Sequence, residues 1–157
     1  MQLFILRHGH AEQQVTTDEA RSLTHSGRKD VSITSARSMN DLKVVQEVWV
    51  SSLVRAQQTA KIVCDELTKN GVAFTVNTTE LLVPEADPVA LFDALQLAKS
   101  DSILLVSHQP LVGHVIDLLC CTYHGFHEMN TSSLACIDCK VAAPDLGKLR
   151  WLRHVHE

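Results

Sequence analysis

Apolar and polar positions along this chain follow two rhythms. Compact runs of branched and apolar residues at about 2–6, 46–50, 73–77 and 102–107 read as strands. Between them the apolar residues recur every three or four positions, the spacing of one helix face. Ala56, Ala60, Val63 and Leu67 mark such a face, with Ser51 or Ser52 as its cap. Asp87-Pro88 pairs a cap with a first-turn proline and predicts a helix through about Lys99. Gln109-Pro110 opens another, which turns Leu111, Val115, Leu118 and Leu119 inward. The segment after Thr24 is also read as helical, although its many Ser and Thr residues weaken the signal. Runs at about 132–139 and 148–153 flank Ala143-Pro144-Asp145-Leu146-Gly147 and predict an antiparallel edge pair. Strand and helix signals in alternation define an α/β protein with a mostly parallel central sheet.

Composition adds limits more than direction. The 157 residues, 45% apolar and 20% charged, suit one soluble domain spanning 1–157, with no linker or repeat to divide it. A net charge of −4 argues against nucleic acid as a partner, and no run approaches the roughly 20 apolar residues of a membrane span. Arg7 and His8 interrupt the only apolar stretch that resembles a leader. Five cysteines, an odd number, do not read as a disulfide scaffold. The expectation is a reduced, cytoplasmic monomer.

The chemistry begins where the first strand ends. Phe4-Ile5-Leu6 hands over to Arg7-His8-Gly9, a fork of phosphate donors, a ring nitrogen nucleophilic near neutral pH, and a residue that lets the backbone turn and a ligand approach. Arg55 falls in the first turn of the helix after the second strand, and His108 directly follows the fourth. Ligands of open parallel sheets gather outside the carboxyl ends of the strands, so three segments deliver two arginines and two histidines to one rim. Such a group suits phosphoryl transfer. His8 attacks phosphorus in line, while Arg7, Arg55 and His108 hold the oxygens and balance the developing charge. Neighbouring arginines favour the neutral, nucleophilic ring, and no metal or other cofactor is needed.

These residues lie in segments that resemble the histidine phosphatase (phosphoglycerate mutase-like) superfamily, most closely its small SixA-type phosphohistidine phosphatases. The segments are Leu6 to Glu12, Arg21 to Gly27, Val50 to Ala60, Val106 to Pro110 and Asn130 to Ser133, in order along nearly the whole chain. The resemblance implies a three-layer α/β/α sandwich without cap insertions. It also implies that His8 accepts the phosphoryl group, that Arg7, Arg55 and His108 form the pocket, and that Arg21 contacts substrate near the mouth. The implied substrate is phosphohistidine on a partner protein, a phosphotransfer domain or a phosphocarrier.

One departure bears on substrate. Ester-cleaving branches with an Asp after the second histidine are excluded, because that position is Gln109. Glu80, after the third strand, is the candidate general acid. Phosphohistidine tolerates a weak acid better than an ester does, because imidazole leaves more readily than alkoxide. The alternatives are a phosphatase or mutase for a small phosphorylated metabolite, and an idle module that binds phosphohistidine. Cys136-Ile137-Asp138-Cys139 has redox spacing but sits within a predicted strand, where the two thiols face opposite ways. Cys120, Cys121, His124 and His127 lack the pattern of a convincing zinc site. Arg153-His154 echoes the opening motif near a terminus, where fraying is the default.

Overall fold

A computed structural model describes residues 1–14 and 16–156. Its sheet has six strands: β1 (Gln2–Arg7), β2 (Glu47–Val50), β3 (Thr75–Thr78), β4 (Ser102–Ser107), β5 (Leu134–Cys139) and β6 (Gly147–Arg153), in the order β3-β2-β4-β1-β5-β6. The first four run parallel; β5 is antiparallel to both β1 and β6, which gives the expected antiparallel edge.

Helices α1 (His25–Arg37), α2 (Met39–Leu42), α3 (Val54–Lys69), α4 (Pro88–Leu97) and α5 (Leu111–Leu119) complete the fold. Strand side chains alternate between two cores. Leu3, Ile5, Ile103 and Leu105 pack with α4 and α5, while Phe4, Leu6, Leu104 and Val106 pack with α1, α2 and α3. Burial on both faces explains why β1 and β4 read as unbroken apolar runs. The three layers are those expected.

Several local expectations need correction. Neither Ser51 nor Ser52 caps α3; its N-cap is Leu53, with no side-chain bond. Leu118 is exposed, because positions 111, 115 and 119 already fill the inward face of α5. α4 stops at Leu97, two residues short of Lys99. The segment after Thr24 is a full helix despite its composition, since the Thr24 hydroxyl accepts the Gly27 N–H at 3.0 Å and Val31 anchors its buried face. Gly9 serves packing instead of ligand approach: a Cβ there meets the Gly27 carbonyl oxygen and Val31 Cγ2, both at 2.9 Å. Cys136 and Cys139 do face opposite cores. The C-terminal tail is tied down rather than frayed: Ser133 Oγ lies 2.6 Å from His154 Nδ1, Arg37 donates to the Val155 carbonyl, and His156 pairs with Asp30. No helix among the described residues is long and apolar enough to cross a membrane.

Candidate active site

Parallel strands end together, and their ends bring the predicted residues to one rim. β1 delivers Arg7 and His8, β2 delivers Ser51 and the first turn of α3 with Arg55, and β4 delivers His108. Because β5 runs the other way, its start lies at the same rim. There the Ser132 N–H donates to the carbonyls of Arg7 and His8, and the Arg7 N–H donates to the Ser133 carbonyl.

His8 is 6% exposed, and its two nitrogens have different partners. Nδ1 lies 2.7 Å from the Gly9 carbonyl, which only accepts, so Nδ1 carries the proton. That leaves a lone pair on Nε2, which accepts from Arg55 Nε at 3.3 Å. Burial, then the charges of Arg55, Arg7 and Arg21, push the His8 pKa down to about 4, although its bond to Gly9 opposes the shift. The ring is therefore neutral at physiological pH.

The His108 ring centre lies 4.9 Å from that of His8. Its Nε2 meets Ser51 Oγ at 2.7 Å, and that oxygen also accepts the Leu53 N–H at 3.3 Å. Where Ser51 donates its hydroxyl proton to Nε2, His108 Nδ1 is left as the donor. Burial, followed by the influence of His8 and Arg55, pushes the His108 pKa down to about 3. Arg7 Nη1 donates to the Met129 carbonyl at 2.7 Å. Arg7 Nε, His108 Nδ1 and Ser132 Oγ are buried without a protein partner among the described residues, so this rim concentrates unspent hydrogen-bonding capacity.

Arg21 reaches the group indirectly. Its Nη1 pairs with Asp18 Oδ1 at 3.0 Å, and Asp18 holds Arg55 through Oδ2 at 3.1 Å and its carbonyl at 2.8 Å. The hydrogen bond from Arg21, joined by those from Arg55, keeps the Asp18 carboxyl below its ordinary range despite some desolvation. Sequence reasoning missed Asp18, which no motif marks. It also missed Asp117, whose buried carboxylate accepts from Thr122 Oγ1, Gly125 N and both His127 N and Nδ1. That clamp shapes the loop ending at Met129. Glu80 is exposed, and its carboxylate makes no hydrogen bond or ion pair among the described residues. His127 belongs to Asp117 and His124 stacks with His114, so the cysteine–histidine run is not drawn together; no group of metal-ligand type forms among the described residues.

Two arginines and two histidines at the switch point of a doubly wound sheet define an α/β domain with a cationic, recessed rim. The chain belongs to the histidine phosphatase superfamily (branch 1), whose pattern matches residues 3–81. It is similar to the phosphohistidine phosphatase SixA of Escherichia coli K12, at 35% identity over 76% of this chain and 74% of that one. A SixA homolog of Haemophilus influenzae is 31% identical over 74% and 75% of the two chains. The structure of the protein histidine phosphatase SixA complexed with tungstate superposes with a TM-score of 0.87 at 27% identity, over 99% of this chain and 97% of that one. A phosphoserine phosphatase from Entamoeba histolytica has the same fold, with a TM-score of 0.75 at 12% identity, over 99% and 98% of the chains.

Proposed function

We propose that this protein is a phosphatase that removes phosphate from phosphohistidine on a partner protein, through a covalent intermediate on His8. The observation that carries the reading is the pair of bonds on the His8 ring, Nδ1 to Gly9 and Nε2 to Arg55. Together they fix the tautomer and face the lone pair toward a cation that also attracts phosphate.

In the first step the Nε2 lone pair of His8, given up by Arg55 Nε as the guanidinium turns to the phosphate oxygens, forms a bond to phosphorus, and the substrate P–N bond breaks. The bonding electrons leave with the substrate imidazole, which departs neutral when its other nitrogen carries a proton. No proton from the enzyme is required. Water then attacks phosphorus, the bond to His8 breaks with its electrons returning to Nε2, and phosphate departs carrying the protons of the water, the excess passing to solvent. Arg7, Arg55 and His108 Nδ1 hold the three non-reacting oxygens and offset charge in each transition state. Guanidinium groups supply that charge without a metal. The oxyanion named in the SixA–tungstate structure supports a site of this kind in the fold.

A phosphorylated protein, either a phosphotransfer domain or a phosphocarrier, is the partner we favour, with the enzyme a monomer in the cytoplasm, where five free thiols suit reducing conditions. Arg21 positions Arg55 through Asp18, at the mouth where substrate enters. The second reading, hydrolysis of a small ester, has the phosphoserine phosphatase fold in its favour. It requires an acid, for which Glu80 is the candidate. The test is timed phosphate release from a panel of histidine-phosphorylated proteins, beside phosphoserine and sugar phosphates. Fast release from a phosphohistidine protein, lost in His8→Ala, supports the proposal; release from small esters alone supports the rival.

A further inference from the structure

We propose that an exposed basic ridge on α1, formed by His25, Arg28 and Lys29, docks an acidic face of the histidine-phosphorylated protein; the inference rests on the function proposed above. These positions, with Ser32, follow the i, i+3, i+4, i+7 spacing of one helix face, and all four are exposed. The opposite face, with Gly27, Val31, Thr34 and Ser35, is buried. The ridge lines a surface groove of about 540 Å³ whose far wall is Ile62 on α3.

The charges on this ridge do nothing for the fold. Cations near the start of a helix oppose its dipole, which favours Asp or Glu there, and α1 has no acid in its first turn. Neither the Arg28 nor the Lys29 side chain forms an ion pair among the described residues. Nearby acids are engaged elsewhere, Asp30 with His156 and Asp65 with Lys61. Unbalanced positive charge in a chain of net charge −4 is a local feature that stability does not explain.

Its location ties it to the reaction. The start of α1 is wedged against the segment after His8: Thr24 N donates to the His10 carbonyl at 3.0 Å, and a Cβ on Gly27 would collide with that oxygen. His8, Arg55 and His108 are each at most 6% exposed, so a phosphohistidine must project inward while its carrier protein lies across the rim. A carrier in that place meets the ridge. Complementary charge there steers encounter and orients the carrier, and its effect weakens with salt.

The test compares kcat/KM on the phosphohistidine protein turned over fastest in the panel with kcat/KM on free phosphohistidine. The variants are Arg28→Glu, Lys29→Glu and the double reversal, each measured at low and high salt. The expected result is a loss of at least tenfold on the phosphoprotein for the double variant at low salt, shrinking as salt rises. Turnover of free phosphohistidine stays within twofold. Tm stays level or rises, since Glu suits that helix position, which separates docking from misfolding. Equal effects on protein and free substrate, or no effect on either, would overturn the docking role while leaving the phosphatase reading intact. Loss of binding to anionic lipid vesicles, with phosphoprotein turnover unchanged, would assign the ridge to a membrane surface and also overturn it. Failure of the unaltered protein on every phosphoprotein would remove the underlying function and the docking proposal together.

Discussion

Arg55 donates its Nε–H to His8 Nε2 at 3.3 Å, and the far end of the same guanidinium is held by Asp18. One planar side chain thus connects the proposed nucleophile to the carboxylate of Asp18, at the start of a short 3-10 turn, and, through it, to Arg21. The relationship explains how Arg55 can be only 4% exposed: its burial is offset by fixed partners at both ends.

Arg55→Ala should reduce kcat/KM by about 100- to 1,000-fold, the cost of losing a preorganised donor. Arg55→Lys should restore little, because a point charge cannot bond His8 and Asp18 together. A loss below about tenfold in steady-state kinetics would place Arg55 outside the reaction.

Asp18→Ala should lower kcat/KM less than Arg55→Ala, since it disturbs only the orientation of the guanidinium. Adding Asp18→Ala to Arg55→Ala should cost almost nothing more. A double-mutant cycle measures this, and simple additivity would mean that Asp18 acts independently.

The two buried histidines make a pH prediction. Their folded pKa values, about 4 for His8 and about 3 for His108, lie below the unfolded value near 6.5. Between these limits the unfolded chain binds protons that the folded rings refuse, so stability falls as pH drops through about 6.5 and continues to fall toward about 3. NMR titration should find the His8 ring neutral at pH 5.5. His108→Gln should flatten the slope of unfolding stability between pH 7 and pH 5. A His8 ring that protonates near 6.5 would contradict the burial argument.

Gly27→Ala forces a methyl group into the His10 carbonyl. We expect a destabilisation of about 1–3 kcal/mol in denaturant melts, the range for overpacking, together with lost activity as α1 shifts from the rim. Unchanged stability and turnover would show that the contact relaxes freely.

The legible parts were those set by local pattern. β1 and β4 were readable because burial on both faces leaves unbroken apolar runs, and parallel strands ending at Arg7, Val50 and Ser107 place their successors together. Arg7, His8, Arg55 and His108 were findable because each follows or nearly follows a strand end. Asp18 and Asp117 were not, since their partners lie in space: Arg55 is 37 residues from Asp18, and Asp117 binds a loop whose conformation no spacing encodes. Ser51 was seen but given the wrong task, because a serine before a helix reads as a cap and its bond to His108 crosses 57 residues. Gly9 was read as a turn because sequence does not reveal that α1 packs on it.

The most direct measurement is a rapid-quench experiment with a protein carrying radiolabelled phosphate on histidine. The account predicts that label appears on His8 before inorganic phosphate accumulates, that the adduct is labile to acid, and that His8→Ala neither acquires label nor releases phosphate. Release of phosphate by His8→Ala at a rate near that of the unaltered protein would contradict the covalent mechanism.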